Sequence, residues 1–336
     1  MVSAASGPIF IGGPDRCGKT LVAALLGSHS RIAISAVGSN LWPLFYRRFG
    51  DLADDENADR CIDALLAYKH VGYLQPDRSA LRAAFVGGER TYARLFALIQ
   101  EQHAHRLGKP RWGDQTGLVE RFADEIFDAY PGVRFVHMVR DPRDRYEASL
   151  QMWPEGRLRA GGAAARWLLS TRLAARNRRR HGAGYLVLRY EDLVTEPEET
   201  VRRLSDFVGE AFEPAMMELG AMPGYRAKLE ASVATQPTST RETVPRRLIS
   251  PDFIGAHRDR IPRTELAFLQ DVARGRMREH GYAPDPVLMP AAERWRYRLV
   301  ELPVNVARMA AWRAREALAY RVPRWLGRRP RTGMTQ

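Results

Sequence analysis

The chain has 336 residues, of which 45% are hydrophobic and 27% are charged, so it is long enough for one large globular domain or two smaller ones. Its formal net charge of +13 favours anionic partners such as nucleotides, acidic substrates or an anionic membrane. The two cysteines, Cys17 and Cys61, are too few for a disulfide framework and indicate a reducing compartment. Without a basic leader or an apolar run of about 20 residues, we expect a cytoplasmic protein that does not span a membrane.

A strand, a glycine-rich loop and a helix are predicted at the start of the chain. The short apolar run "PIFIGG" leads into "GGPDRCGKT", and "KTLVAALLGSH" then places Leu21, Leu25 and Leu26 on one helical face. From Gly13 to Thr20 the loop fits G-x-x-x-x-G-K-T, a pattern whose backbone N–H groups and helix dipole hold an anion. We therefore predict an anion site here; the alternative is a glycine-rich turn without a ligand.

Helices and strands alternate along the rest of the chain. Residues 40–110 are predicted to be mostly helical, and "KPRWGDQTG" is interpreted as a loop that leads into an amphipathic helix near Leu118. Residues 133–139 form a predicted buried strand that ends in the charged loop "RDPRD". "RDRYEASLQMW" is predicted to begin a helix, and residues 163–180 form a long basic helix. "GYLVLRYEDL" is interpreted as a strand followed by a loop, and "EPEETVRRLSDFVGE" as a helix. This alternation predicts an α/β fold with a parallel sheet covered on both faces.

The charged residues at the ends of the predicted strands indicate which kind of anion is bound. A P-loop enzyme that uses ATP or GTP also holds Mg²⁺, usually with an acid at the end of a second apolar strand. Here "FVHMVRD" has Arg140 before its acid, and "YLVLRYED" has Arg189 and Tyr190 before its acids. Cations stand where a metal site needs carboxylates, which weakens the interpretation as a nucleotidase but leaves a P-loop small-molecule kinase open.

Taken together, "RCGKT" and "HMVRDPRDRYEASL" resemble the sulfotransferases that use 3′-phosphoadenosine 5′-phosphosulfate (PAPS). The P-loop equivalent of that family reads roughly [K/R]-S-G-T-T. The resemblance puts Arg16 at the catalytic cation, Cys17 in place of a serine, Gly18 and Thr20 in register, and Lys19 in place of a threonine. It implies that these five residues bind the phosphosulfate.

The second signature of the family is an apolar strand that ends in R-[D/N]-P-R-D, with a serine on the next helix. The resemblance implies that Arg140 and this serine bind the 3′-phosphate, which ATP lacks. The serine that matches in type is Ser149, one residue beyond the commonest spacing, which falls on Ala148. "LVLRYEDLVTEP" is similar to the family segment whose tyrosine contacts the adenosine, which implies that role for Tyr190.

The resemblance extends over roughly residues 8–283, up to a closing segment with a basic loop and a last helix. It implies an α/β fold with a P-loop-like parallel sheet flanked by helices. We therefore divide the chain into a sulfotransferase domain, residues 1–283, and a basic amphipathic helical tail, residues 284–336.

The tail has an apolar stripe at helical spacing. Leu299, Leu302, Val306 and Met309 recur on one side, and Pro303 is predicted to separate two short helices. We expect the first part to pack on the domain. For residues 312–331, whose arginines are interspersed with tryptophans, contact with an anionic membrane is a hypothesis.

In sulfuryl transfer an acceptor oxygen or nitrogen attacks in line while charge builds on the departing nucleotide. Arg16 is our candidate for stabilising that charge, with Lys19 as the alternative, and no metal is expected. "WGDQTG" is similar to an arrangement in some members of the family with an acid before K-[S/T], which makes Asp114 the candidate general base, with Gln115 in place of the lysine. The alternative roles for Asp114 are capping of the helix near Leu118 or a bond to a P-loop amide.

The sequence thus predicts a sulfotransferase that moves a sulfuryl group from PAPS to a hydroxyl or amine, with adenosine 3′,5′-bisphosphate as the product. Its acceptor is expected to be a small molecule, a glycan or a lipid, with possible contact at the inner face of an anionic membrane and no nucleic-acid partner. A P-loop kinase that uses ATP and Mg²⁺ is the enzymatic alternative. A basic membrane- or nucleic-acid-binding protein without catalysis is the other.

Overall fold

The computed structural model describes residues 7–152, 159–218, 249–258 and 260–321, and a parallel five-stranded sheet lies at their centre. The strands are β1 (Ile9–Gly12), β2 (Ile32–Ile34), β3 (Arg111–Gln115), β4 (Arg134–Val139) and β5 (Tyr185–Arg189). Their order in the sheet is β2-β3-β1-β4-β5, and all four pairings are parallel. The predicted α/β fold with a parallel sheet is confirmed.

Helices cover both faces of this sheet. In the described part of the chain the α-helices are α1 (Lys19–Gly27), α2 (Leu41–Phe45), α3 (Asp55–Leu66), α4 (Lys69–Gly72), α5 (Arg78–Val86), α6 (Tyr92–Arg106), α7 (Ala123–Ala129), α8 (Pro142–Met152), α9 (Ala160–His181), α10 (Tyr190–Thr195), α11 (Pro197–Val208), α12 (Arg263–Glu279), α13 (Ala291–Arg296) and α14 (Leu302–Arg321). Short 3₁₀ turns connect several of them.

The alternation of side chains along the strands explains the two layers. Successive residues of a strand point to opposite faces, so Phe10 packs with Phe135 in one apolar cluster while Ile9 and Ile11 pack with Val136 in the other. The first cluster is covered by α2 to α7, and the second by α1, α10 and α11. Burial on both faces is the reason that β1 and β4 read as continuous apolar runs.

Three local predictions differ from the structure. "RWGDQ" is strand β3 rather than a loop, because it pairs with β1 and β2 in the middle of the sheet. The helix predicted from Arg143 is α8, but it begins one residue earlier, so that only Arg140 and Asp141 of "RDPRD" precede it. Its first residue is Pro142, whose fixed φ and missing N–H suit that position. The segment after β5, predicted as a loop, is the short helix α10. The helix expected near Leu118 is present as a 3₁₀ turn, Val119–Phe122, followed by α7.

The tail packs on the domain along α9. Met309 and Trp312 are buried against the cluster that α9 and α12 form, and Asn305 accepts a hydrogen bond from the Gly161 N–H at 3.2 Å. Further along α14, Glu316 pairs with Arg121 at 3.0 Å. The packing expected for the first part of the tail therefore extends through Trp312, which is not available to a membrane surface.

The predicted apolar stripe of the tail is wrong in detail. Of its four residues, Met309 is buried and Leu302 is half-buried as predicted, whereas Leu299 and Val306 are exposed. Tyr297, which is not part of the predicted stripe, is buried. The helix also does not stop at Pro303: α13 continues through a π-turn, Tyr297–Glu301, into α14. A proline lacks the N–H that a regular turn would use, and a local π-turn accommodates this defect. The division at residue 283 stays a prediction, and residues 322–331 of the membrane hypothesis lie outside the described residues.

Among the described residues, the helices are too short or too polar to cross a lipid bilayer.

Candidate active site

All five strands point their carboxyl ends toward one edge of the sheet, and the predicted site residues come together there. The P-loop follows β1, Arg140 follows β4 and Tyr190 follows β5. Asp114 lies in β3 beside β1, with Phe10 as its partner in the register. The segments that the sequence singled out therefore meet at one edge of the sheet.

The P-loop has a backbone that only a few residue types adopt easily. Gly13 and Gly18 have φ of 115° and 94°, and Arg16 has φ of 62° although it carries a side chain. A non-glycine residue in this left-handed region costs free energy, and such strain is common at functional sites. The loop ends at α1, whose N-terminus opens directly behind Gly18 and supplies the N–H groups and dipole that bind an anion.

Buried Glu120 fixes the start of the loop. It accepts the Gly13 N–H at 3.0 Å and the Ser170 hydroxyl at 2.5 Å. Ser170 lies 3.0 Å from Nε2 of His137, whose burial lowers its pKa to about 4, so that its imidazole is neutral near pH 7. His137 is thus a packed core residue, and the network connects the start of the loop to α9.

Asp15 joins the loop to two arginines of other elements. Its carboxylate lies 3.1 Å from Nη2 of Arg145 on α8 and 2.8 Å from Nε of Arg166 on α9. Burial alone would raise the pKa of Asp15, but Arg145, Arg166 and Lys19 hold it far below its usual range. The loop is thus surrounded by more positive than negative charge, which favours a bound anion.

Arg16 and Arg140 are the two guanidinium groups at the centre of the site. Arg140 Nη1 donates to the Arg16 carbonyl at 3.1 Å, and the burial of Arg16 together with the nearby Arg140 lowers the pKa of Arg16. The Nε atoms of both side chains are buried without a hydrogen-bond partner. Other arginines of the described residues also have such an Nε atom, namely Arg90, Arg166 and Arg189. Arg16 and Arg140, however, are in contact with each other beside the P-loop, and because buried donors are nearly always satisfied, this pair indicates a place for acceptor oxygens of a ligand.

Tyr190 closes this part of the site. The Cζ atom of Arg140 lies 4.5 Å from the centroid of the Tyr190 ring, and a Cβ on Gly18 would lie only 2.8 Å from that ring. Gly18 is therefore required both by its φ and by the close approach of the aromatic ring. A ring over the loop is placed to stack on or border a flat ligand.

The turn after β4 is tied down by carboxylates. Asp141 pairs with Arg143 at 2.6 Å, and its N–H donates to Glu191 at 2.9 Å. Arg140 Nη2 donates to the Phe253 carbonyl at 2.9 Å, which brings the segment after residue 249 over the site. Glu191 also accepts from the Tyr282 hydroxyl at 2.8 Å, so both of its oxygens serve the structure of this turn.

The remaining predicted cofactor-binding residues make hydrogen bonds within the loop or within their own element. Cys17 is buried and donates its thiol to the Pro14 carbonyl at 2.7 Å, so its side chain belongs to the loop's own structure. Lys19 Nζ donates to the same carbonyl at 2.5 Å, and Thr20 lies 3.5 Å from Gln115 Oε1. Ser149 is buried, and its hydroxyl donates to the Arg145 carbonyl of its own helix at 2.8 Å rather than to Arg140.

Asp114 is 4% exposed and makes contacts that the sequence did not indicate. It accepts the Ser39 hydroxyl at 2.6 Å, the Ser39 N–H at 3.2 Å and the Thr116 hydroxyl at 3.2 Å. Burial raises its pKa, although these hydrogen bonds partly oppose the rise. Both alternatives considered for it, a helix cap and a bond to a P-loop amide, differ from these contacts.

Sequence reasoning missed four residues of the site: Asp15, Glu120, Arg145 and Arg166. Each acts through a partner more than 20 residues away, or through a loop position with no motif of its own. The one available signal was the second arginine of "RDRYE", which follows the predicted strand-end motif and is Arg145.

A large cavity lies apart from these residues. A cavity of about 800 Å³ between α7, α9 and α14 is lined by Leu169, Leu173 and Trp312 together with several arginines, and none of the predicted site residues lines it. Within the described ranges, no three His, Cys, Asp or Glu side chains are grouped so as to hold a metal ion.

Comparisons with known proteins agree with this geometry. The profile of the sulfotransferase family matches residues 8–214. The sulfotransferase domain of the Synechococcus PCC 7002 olefin synthase has a similar structure, with a TM-score of 0.54, 20% identity and coverage of 83% of this chain and 96% of that domain. A sulfotransferase domain from the curacin biosynthetic pathway gives a TM-score of 0.54, 18% identity and coverage of 84% and 100%. A search of curated protein sequences gives no significant match.

At these identities the two structures share the fold with this chain, and the family profile covers more than half of the chain. The kinase and the non-catalytic binding protein are not favoured. The resemblance noted in the sequence is confirmed: the chain belongs to the sulfotransferase family and is a sulfotransferase.

Proposed function

We propose that the enzyme takes its sulfuryl group from PAPS, transfers it to a hydroxyl or amine of its acceptor, and releases adenosine 3′,5′-bisphosphate. The observation that carries this proposal is the pair of guanidinium groups of half-buried Arg16 and buried Arg140, whose buried Nε atoms lack hydrogen-bond partners. The donor has two anionic ends, a 5′-phosphosulfate and a 3′-phosphate, and it needs two cationic sites. ATP, which has no 3′-phosphate, would leave one of them unused.

The P-loop is our proposed site for the phosphosulfate. The N–H groups at the start of α1, the Thr20 hydroxyl and the Lys19 ammonium would hold its oxygens, and Cys17 and Gly18 would contribute through the backbone. Arg16 would stabilise the charge that develops on the leaving oxygen, with Lys19 as the alternative. The strained φ of Arg16 supports a role for this residue beyond folding.

The second end of the donor is assigned to the turn after β4. Arg140 would pair with the 3′-phosphate, and Tyr190 would border the adenosine. Ser149 stays a candidate for the same phosphate, although its hydroxyl would first have to leave the Arg145 carbonyl. The Phe253 carbonyl, which now accepts from Arg140, would share this guanidinium with the ligand.

The reaction that these residues would support exchanges one sulfur–oxygen bond. The acceptor atom forms a bond to sulfur, the bond from sulfur to the bridging phosphate oxygen breaks, and the electron pair leaves with the nucleotide. The acceptor's proton is assigned to Asp114, whose raised pKa suits a general base. The carboxylate of Asp114 accepts hydrogen bonds from the hydroxyls of Ser39 and Thr116. These hydroxyls lie at the end of β3, and we propose that the acceptor approaches Asp114 there.

We propose that no metal takes part in the reaction. At the strand ends where a nucleotidase carries carboxylates that bind Mg²⁺, this chain has arginines and backbone amides that would bind the anion directly. Asp141, the acid at the end of β4, is paired with Arg143 at 2.6 Å. A cytoplasmic location is proposed on the two free, buried cysteines. The acceptor is left as a small molecule, a glycan or a lipid, and nucleic acid is not proposed as a partner.

Calorimetric titration tests the donor assignment. Adenosine 3′,5′-bisphosphate, AMP and ATP with and without Mg²⁺ are each titrated into the full chain. The bisphosphate should bind far more tightly than AMP, without any effect of Mg²⁺. Tighter binding of ATP with Mg²⁺ than of the bisphosphate would return the assignment to a kinase.

A further inference from the structure

Arg166 on α9 lies at the edge of the P-loop, outside the motifs of the family signature. Its Nε is 2.8 Å from Asp15 Oδ1, and its side chain is 22% exposed. By contrast, Arg145, the other partner of Asp15, is fully buried and donates to the Asp15 and Ala163 carbonyls as well. Of these two arginines, Arg166 is therefore the one with access to a ligand.

A second cation lies on the same spot. A Cβ placed on Gly117, just beyond the end of β3, would lie 3.4 Å from Arg166 Nη2 and 3.9 Å from Lys19 Nζ. Arg166 and Lys19 thus converge over Gly117, which has no side chain to separate them. Gln115, two residues earlier, is neutral and donates to the Ala36 carbonyl at 2.8 Å, so the strand end adds no charge of its own.

The charges at this point do not balance. Asp15 is the carboxylate that Arg145 and Arg166 share, and Lys19 also acts on it. Buried Glu120, at the Gly13 N–H, is a second carboxylate of this loop. Three positive charges against two negative ones in a partly buried place leave an excess that is held at a cost, which a further anion removes. Gly117 borders this cluster just after β3, the strand that carries Asp114, and the Gly13 carbonyl oxygen would lie 3.9 Å from the same Cβ position.

We infer that Arg166 is a further catalytic residue, which together with Lys19 binds the non-bridging oxygens of the sulfuryl group over Gly117. This inference rests on the proposed function, since it needs a phosphosulfate on the P-loop. The pair would hold the sulfuryl group in line between the leaving oxygen near Arg16 and an acceptor near Asp114. Arg166 forms and breaks no covalent bond and exchanges no proton in this role.

The test compares two nucleotides that differ only in the sulfuryl group. The affinities of the full chain for PAPS and for adenosine 3′,5′-bisphosphate are measured by calorimetry at low temperature, for the wild type and for Arg166→Met, Arg166→Lys and Arg172→Met. Arg172 is exposed on the same helix and serves as the matched control. Release of the bisphosphate from PAPS, with water as the acceptor, gives the rate.

We expect Arg166→Met to weaken PAPS binding about tenfold or more, the scale for losing a hydrogen bond to a charged group, and to leave the bisphosphate affinity within about twofold. Arg166→Lys should recover part of the loss, and Arg172→Met should match the wild type. An unchanged ratio of the two affinities in Arg166→Met overturns the inference, and so does an equal loss for both ligands, which would place Arg166 in loop structure. A wild type that binds neither nucleotide overturns the donor assignment itself, and is thereby distinguished from a failure of Arg166 alone.

Discussion

The guanidinium of Arg140 lies over the ring of Tyr190, with 4.5 Å between the Cζ atom and the ring centroid, although the two residues follow different strands. The adjacent parallel strands β4 and β5 end at the same edge, so a cation and an aromatic ring from separate segments form one surface. Such a surface suits a nucleotide that carries a phosphate near its base and ribose.

The first prediction concerns recognition of the 3′-phosphate. Arg140→Ala should lose about 2–4 kcal/mol of the preference for adenosine 3′,5′-bisphosphate over AMP, the range for removing one partner of a desolvated charge pair. Calorimetric titration of both nucleotides into both proteins measures this difference. Arg189→Ala is a suitable control, because Arg189 ends the neighbouring strand but is paired with Asp192 at 3.2 Å. A wild type that binds both nucleotides equally would refute the assignment of Arg140.

A second prediction separates rate from binding. Arg16→Ala should lower the release of bisphosphate from PAPS by about 10²–10³-fold, as expected for a lost contact to the leaving oxygen, while bisphosphate affinity changes little. Arg47→Ala is the matched control, because Arg47 is also a non-glycine residue with positive φ, at 55°, but lies outside the site. If Arg16→Ala kept its rate and lost affinity, Arg16 would be an anchor and Lys19 the better candidate.

The third prediction is a pH dependence. Burial raises the pKa of Asp114, so the base should become protonated, and the rate should fall, at a higher pH than for an ordinary aspartate. Asp114→Asn should lower the rate by about 10²–10⁴-fold and abolish the fall of the rate at low pH, the acid limb of the pH profile. The exposed Asp128→Asn serves as the control. Retention of the wild-type rate and acid limb in Asp114→Asn would mean that another group takes the proton.

His257 gives a fourth prediction, on the stability of the segment over Arg140. Its ring lies 2.6 Å from Asp144 and 2.7 Å from Asp285, which also pairs with Arg143 and lies 3.9 Å from Arg258. Burial would lower the pKa of His257, but the two carboxylates outweigh it and raise the pKa above its usual value.

Because the folded pKa is raised, the charged imidazole should stabilise the fold fully below the unfolded pKa of about 6.5 and lose this effect as pH rises through the folded value. His257→Gln should therefore destabilise the protein more at pH 6 than at pH 9, as measured by urea unfolding. The exposed His105→Gln should have little effect at either pH. An equal loss for His257→Gln at both pH values would contradict a charged imidazole.

The sequence predicted the parts of the site that follow apolar runs. Arg140 and Tyr190 come directly after β4 and β5, whose buried strands are visible in the sequence, so their meeting at one edge could be foreseen. Strand β3 was not predicted, because "RWGDQ" is polar. Its contacts are made with residues that are distant in the sequence. Arg111 donates to the Val208 carbonyl at 2.6 Å, and Asp114 accepts from Ser39.

The charges around the loop were missed for the same reason. Asp15, Arg145 and Arg166 come from three elements, and no spacing in the sequence brings them together. In the tail, helical spacing predicted a helix but not its orientation. Of the predicted stripe, Leu302 and Met309 do pack, whereas Leu299 and Val306 are exposed. The side that contacts α9 also carries Asn305 and Trp312, which were not part of the stripe.

The last prediction concerns this exposed side of the tail as a membrane contact. Trp295, Leu299 and Val306 are 61%, 70% and 48% exposed, and arginines 294 and 298 beside them are exposed too. Apolar side chains flanked by arginines suit the surface of an anionic bilayer, and the net charge of +13 adds a long-range attraction. Buried Trp312 does not support the hypothesis of contact at residues 312–321, and residues 322–331 lie outside the described residues. We therefore propose residues 295–306 as a further contact.

Co-sedimentation with vesicles of phosphatidylglycerol and phosphatidylcholine at low salt tests this contact in the full chain. The double variant Trp295→Ser and Leu299→Ser keeps the net charge but removes apolar area, so its bound fraction should correspond to an affinity at least about tenfold weaker. Tyr73→Ser, at a residue that is 60% exposed, is the matched control and should bind like the wild type. A chain that ends at Ala311 is a poor test, because it also removes the buried Trp312 and the pairing of Glu316 with Arg121. If the double variant and the wild type sediment equally, the arginines alone account for binding. If neither sediments, the tail has no membrane role and a soluble acceptor is favoured.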